Sequence, residues 1–276
     1  VPTVSISGPT GAPINSAGTA TYTLTFTSAA STTLTNGSGS GITLVTTGTV
    51  AACAATVNSP TTAGATVTVT GCTGDGTVAI KLDANTLDNG AGTKNVLSAA
   101  SSTATVNNTA PTVGFSGPSS SLIDSGDSTT YTLTFTDAAS TTLANGSGSG
   151  ITLVMTGTVA GCAATVNTPT ASGETVDVTG CTGDGTVAIR LEPAMLDNGA
   201  GTKNAFSAAS SSATVNNTAP TVSFSAPSIS TINSSSTASY TLTFTGADST
   251  TLTNGTGTGI TLDMTGTVAN CAATVN

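Results

Sequence analysis

Polar and apolar positions alternate strictly along Thr19–Thr27, TATYTLTFT: Tyr22, Leu24 and Phe26 fall on one side, and Thr21, Thr23, Thr25 and Thr27 on the other. A period of two is the signature of a half-buried strand. Similar patterning predicts further strands over Pro2–Ser7, with Val4 and Ile6 inward, and Ile42–Thr47, with Ile42 and Leu44 inward. Others are predicted over Val50–Val57, Ala65–Cys72, Thr77–Asp83 (Val78, Ile80 and Leu82 inward) and Ser102–Asn107. Turn-rich stretches separate them: residues 8–18, a polar loop over 28–40 ending in NGSGS, and ANTLDNGAGTKN over 84–95. Pro2 suits the start of an edge strand, where a missing N–H is tolerated.

The whole pattern then recurs. Cys53–Ile80, CAATVNSPTTAGATVTVTGCTGDGTVAI, returns with few changes as Cys162–Ile189, 109 residues on, and its opening CAATVN returns at Cys271–Asn276. Seven short strands per period, each bounded by turn signals, predict an all-β fold of tandem immunoglobulin-like β-sandwich domains. The expected divisions are 1–109, 110–218 and 219–276, the last being the N-terminal half of a third copy. The junction TVNNTAPTV occupies 105–113 and 214–222. Pro111 and Pro220 push the residues before them toward extended geometry, so the tie between copies is short and stiff. The third copy runs only through its fourth predicted strand. Half a sandwich exposes core and strand edges, so it is expected to be completed by more of the same polypeptide, or alternatively by strands from a neighbouring chain.

Composition narrows the function. Only 6% of residues are charged and 3% aromatic, with no His and no Trp. Polar, Gly- and Ser-rich chains of this kind can be disordered, but Thr alternating with Val, Ile, Leu and Phe is a strand pattern, and Thr suits a solvated pleat. The net charge is −9, and Lys81, Lys94, Arg190 and Lys203 are the only basic residues. That deficit excludes the cationic footprint of nucleic-acid binding and electrostatic docking on anionic membranes. No apolar run has the length of a membrane-spanning helix, so direct membrane insertion is not expected.

The five cysteines are Cys53, Cys72, Cys162, Cys181 and Cys271. Two pairs share one spacing, and Cys271 opens a third pair whose second member is not in this sequence. Paired cysteines in this composition predict disulfides Cys53–Cys72 and Cys162–Cys181, an oxidising compartment, and an unpaired Cys271. Zinc would need more ligands than two thiolates per copy without His. In a hairpin closed by NSPTTAG, Val57 pairs with Val67 and Ala55 with Val69. That register sets Cys53 opposite Gly71, so a one-residue bulge near Thr70–Gly71 is expected to bring Cys72 across.

Catalytic units of the Ser/His/Asp or Cys/His kind require a base that the chain lacks. Asp75, Asp83 and Asp88 fall in predicted surface turns, so no enzyme is expected and no cofactor is required. Calcium is the one cation with a plausible donor set, Asp75 and Asp88 together with Asn107 and Asn108 near one domain end. Asx-turns account for the same residues more simply. The outward threonines form a second candidate surface. If the strands over 19–27 and 65–72 are neighbours, Thr21, Thr23, Thr25 and Thr27 lie beside Thr66, Thr68 and Thr70. Such a hydroxyl–methyl face suits O-glycans, lateral chain packing or ordered water, and Asp177 interrupts it in the second copy.

The ordered set of motifs resembles the bacterial Ig-like repeats of very large secreted and surface proteins. The matching features are the TGDGT turn at Thr73–Thr77, the loop Asp88–Asn95 and the junction Asn107–Val113. The resemblance implies a sandwich fold and an extracellular, cell-surface setting, without specifying a ligand. The chain departs from antibody-type domains in lacking their Trp, and its cysteines lie elsewhere. The expected role is a structural stalk, fibre or filament segment whose partners are further repeats or other copies of the same chain. The alternative is an adhesive module for a glycan, a cell or another surface.

Overall fold

The computed structural model describes residues 1–276, which divide into two compact units, Val1–Asn216 and Asn217–Asn276. Both are built from strands alone, and no helix is long and apolar enough to cross a membrane.

The first unit holds two sandwiches. In the first, β1 (Thr3–Thr10), β2 (Thr19–Thr27), β6 (Gly64–Thr70) and β5 (Ala54–Asn58) form one antiparallel sheet in the order β1-β2-β6-β5. Opposite lies the sheet β4 (Ile42–Gly48), β7 (Gly76–Leu82) and β9 (Ala104–Val106). Two short strands, β3 (Ser31–Thr32) and β8 (Leu87–Asp88), pair inside stretches expected to be loops. The alternation along β2 works as expected: Tyr22, Leu24 and Phe26 are buried with Val57, Val67, Val69, Val78, Ile80 and Leu82. Tyr22 also carries its hydroxyl across the sandwich to the Val78 carbonyl at 2.8 Å, which satisfies the one polar atom on that side chain. Burial raises its phenol pKa.

The second sandwich repeats this plan with β10 (Thr112–Ser116), β11 (Leu122–Ile123), β12 (Ser128–Thr136), β13 (Ser140–Thr141), β14 (Ile151–Gly157) and β15 (Ala163–Thr170). It continues with β16 (Gly173–Thr179), β17 (Gly185–Leu191), β18 (Leu196–Asp197) and β19 (Ala213–Val215). The sheets run β10-β12-β16-β15 and β11-β19-β17-β14. Here β11 adds in parallel to β19, where the first copy has a single parallel bridge from Ile14 to Val106.

Two devices finish the edges. The NGSGS loop lies along β5: Gly37 N–H donates to the Val57 carbonyl at 2.8 Å and Val57 N–H to that of Ser38 at 2.8 Å. A side chain at Gly39 would meet the Ala55 carbonyl at 2.6 Å, so glycine is required for this close approach. Along β7, the segment after residue 95 pairs through serines. Ser98 and Ser101 accept the Leu82 and Ile80 N–H groups on their hydroxyls at 2.9 and 3.0 Å. Their own N–H groups return to the Leu82 and Ile80 carbonyls at 3.0 and 2.9 Å.

The expected boundary at 109/110 falls inside the first compact unit, because hydrogen bonds tie the two sandwiches at their junction. In Asn217–Asn276 only β20 (Thr221–Phe224) and β21 (Leu242–Thr245) pair, fewer than the four strands anticipated. In the first copy β4 is held by β7, and β5 by β6. Residues 246–276 contain neither partner, so the sequence pattern alone does not make those strands. Val222, Phe224, Tyr240 and Phe244, inward positions elsewhere, are exposed.

Candidate functional site

The cysteine pairs sit where β5 and β6 separate. Cys53 and Cys72 are bonded, with Cα atoms 4.1 Å apart, and so are Cys162 and Cys181, at 4.2 Å. The pairing Ala55–Val69 and Val57–Val67 is as counted. The bulge is not. Ala51 pairs with Thr73, which preserves the register of Ala54 with Thr70. Instead of one extra residue on one side, each strand places one residue in the left-handed region, Ala52 at φ 57° and Gly71 at φ 69°. The two swings are diagonal and bring the cysteines together inside the opening. The second copy uses Gly161 and Gly180 at φ 71° and 69°. Cys72 and Cys181 are fully buried in their cores. In the second unit, Cys271 is an exposed free thiol.

The acidic turns do not converge within one copy. Asp75 lies at the C-terminal end of the first sandwich. Its Oδ1 accepts the Asn108 N–H at 2.6 Å, and its Oδ2 accepts the Thr109 hydroxyl at 2.6 Å. Those bonds hold its carboxyl below the usual range, with the Thr109 hydroxyl the largest cause. Asn108 completes the lock by donating to the Cys72 and Gly74 carbonyls at 3.1 and 2.7 Å and accepting the Ser16 N–H at 2.7 Å. Asp88 belongs to a separate loop. Its Oδ1 accepts Gly90 and Gly92 N–H, and its Oδ2 pairs with Lys94 at 2.6 Å. Lys94 and these donors lower its pKa. Each carboxylate oxygen of Asp75 and Asp88 thus accepts at least one protein donor, and no three His, Cys, Asp or Glu side chains lie together. Asp83 receives the Thr43 hydroxyl on the outer face of the β4–β7 pair. These three carboxylates share no cleft.

The set meets across the junction instead. In the second copy, Asn198 accepts Ala200 and Thr202 N–H on Oδ1 at 2.9 and 3.1 Å, which leaves its amide nitrogen pointing outward. That nitrogen donates to the carbonyls of Asn107 at 3.1 Å and Thr109 at 2.9 Å. Thr202 Oγ1 reaches the Asn107 carbonyl at 3.5 Å and accepts Asn15 Nδ2 at 3.4 Å. The tie is therefore gripped by Asp75 from one sandwich and by the 197–203 loop of the next. Sequence reasoning placed the loop and the junction but not their contact. The signal was the asparagine after Asp197, whose turn-capping oxygen fixes where its nitrogen points.

The threonine face is real in the first copy. The rows Ser7–Thr23–Thr66–Asn58 and Thr10–Thr21–Thr68–Thr56 cross all four strands. Residues 1–72 contain no acidic or basic side chain, so every charge of the first copy lies from Asp75 onward. In the second copy Asp177 interrupts the face, held by the Thr130 hydroxyl at 2.6 Å and Asn167 Nδ2 at 2.9 Å.

One functional-group placement was missed. Glu174 shares the inward parity of Val176 and Val178 and is 6% exposed. Both carboxylate oxygens are buried without a hydrogen-bond partner, and burial pushes its pKa up to about 7. The period of two would have revealed it.

No protein-family model matches the chain, and no curated protein matches it. Among solved structures it is similar to FdeC, an adhesin of Escherichia coli, at 17% identity and a TM-score of 0.37, covering 88% of this chain and 72% of that one.

Proposed function

We propose that this chain is a structural segment of an extracellular bacterial surface stalk, fibre or filament built from disulfide-stapled Ig-like repeats. The observation that carries the reading is the junction, where Asn198 donates to two backbone carbonyls of a tie that Asp75 already holds. A binding module needs one good surface. A load-bearing array needs every joint fixed, and here side chains of both sandwiches hydrogen-bond the backbone of the tie. The disulfides suit an oxidising compartment, and each closes its hairpin independently of the rest of the array. Stapling of this kind stabilises a small core that offers few large side chains.

Residual dipolar couplings on the full chain test the reading. The two sandwiches of Val1–Asn216 are expected to share one alignment tensor. Independent tensors would defeat the mechanical role. One observation favours the adhesive alternative: the uncharged threonine face spans four strands and, like the core of many interfaces, excludes charge. Saturable binding of the full chain to a glycan array, lost when Thr23 and Thr66 are changed to Lys, would favour that second reading.

A further inference from the structure

The loop that grips the junction exists twice, but only one instance is occupied. In the second sandwich, Asn198 is 7% exposed because the Asn107–Thr109 segment covers it. In the first sandwich the same loop is built identically. Asp88 caps Gly90 and Gly92, Lys94 pairs with Asp88, and Asn89 Oδ1 accepts Ala91 and Thr93 N–H, both at 3.0 Å. Asn89 Nδ2 is therefore aimed as Asn198 Nδ2 is, yet it donates to nothing in this chain. Asn89 is only half-buried, and Ala91 and Thr93 are exposed where Ala200 and Thr202 are partly covered.

We propose that the Asp88–Lys94 loop is a docking face for the carbonyl-presenting junction, Val-Asn-Asn-Thr, of a further repeat seated before Val1. The partner's chemistry follows from the occupied instance. It offers two backbone carbonyls two residues apart, held in place by its own equivalent of Asp75, and an amide equivalent to Asn15 beside Thr93. Recognition reads the backbone and the fixed conformation of the tie, so a partner needs the junction sequence rather than a particular surface. This inference rests on the stalk reading and extends it to the end of the first sandwich that faces away from the second.

The test compares the full chain with the full chain preceded by one added copy of residues 1–109. Asn89→Asp keeps the turn-capping oxygen and removes the donor, so the loop still folds; Asn198→Asp is the matched control at the occupied junction. In the extended chain the added copy is expected to share the alignment tensor of the first sandwich. There, Asn89→Asp should uncouple the two and reduce amide protection of the junction by about tenfold, the order expected for two modest hydrogen bonds. In the original chain the same change should leave coupling and protection untouched. The docking proposal is overturned if the added copy reorients freely while the existing junction stays coupled. It is overturned equally if Asn89→Asp has the same effect in both chains, or none in either. If the existing junction is itself uncoupled, or if Asn198→Asp changes nothing there, the stalk reading fails first.

Discussion

The two complete sandwiches share one strand order, and their differences lie mainly in how each handles a polar intrusion. Ala20 of the first copy becomes Thr129 in the second, fully buried on the inward face of β12. Its hydroxyl donates to the Ser120 carbonyl at 3.0 Å and accepts the Ser120 N–H at 3.2 Å, so the intrusion is satisfied and fixes the neighbouring turn. Ala65 becomes Glu174, also buried, and finds no partner. The flanking strands β12 and β15 carry no acidic or basic side chain that could compensate it. Thr68 becomes Asp177 on the outward face, where Thr130 and Asn167 hold it. A hydroxyl can borrow a backbone bond inside a core, whereas a carboxyl cannot ionise there without a cost of several kcal/mol. At these three positions the first copy is uncharged, whereas the second carries a buried carboxyl that is expected to make its stability depend on pH.

The largest effect expected is one that both copies share. Replacing Cys53 and Cys72 by Ser, or Cys162 and Cys181, should each cost about 2–5 kcal/mol by chemical denaturation, since the staple limits the unfolded chain. Equal losses keep the copies equivalent; a loss in only one would show that the other core stands without its staple.

The next effect separates them. Glu174 has a folded-state pKa of about 7. The unfolded value is about 4.3, so the folded state holds the proton more tightly. Stability from this group is complete below the unfolded pKa, declines as pH rises between the two values, and is lost once pH passes the folded value. The swing is about 3–4 kcal/mol. Unfolding followed from pH 4 to 9 should show it, Glu174→Ala should abolish it, and Ala65→Glu should install it in the first copy. A flat wild-type profile would mean that the carboxyl reaches solvent.

Smaller still is the asymmetry at the junction. Asn198→Ala should cost about 1 kcal/mol of coupling between the sandwiches, whereas Asn89→Ala should leave that coupling unchanged. Heteronuclear relaxation would register equal effects if the contact were incidental. Least of all, Asp177→Thr restores the uninterrupted face and should change stability by no more than about 0.5 kcal/mol, as surface substitutions do. A large loss would reveal that Asp177 organises β12, β15 and β16 rather than decorating them.

By itself the sequence determined the period, the all-β class, the strand carrying Tyr22, Leu24 and Phe26, and the cysteine partnership. Each of these follows from local alternation or from exact recurrence, and both are written along the chain. It also carried enough to bury Glu174, by parity with Val176 and Val178. Tertiary structure decided the rest. The paired left-handed residues at Ala52 and Gly71 answer to the closure of a disulfide across two strands, and a register count along one hairpin replaced them with a bulge. The β3–β8 pairing joins residues more than fifty positions apart within stretches that look like loops. The missing strands after Thr245 show the same dependence from the other side, since an alternating segment becomes a strand only when a partner offers its N–H and C=O groups. The meeting of Asn198 with the Asn107–Thr109 tie was decided in the same way: two polar segments some ninety residues apart become one joint only when two sandwiches bring them within hydrogen-bond distance.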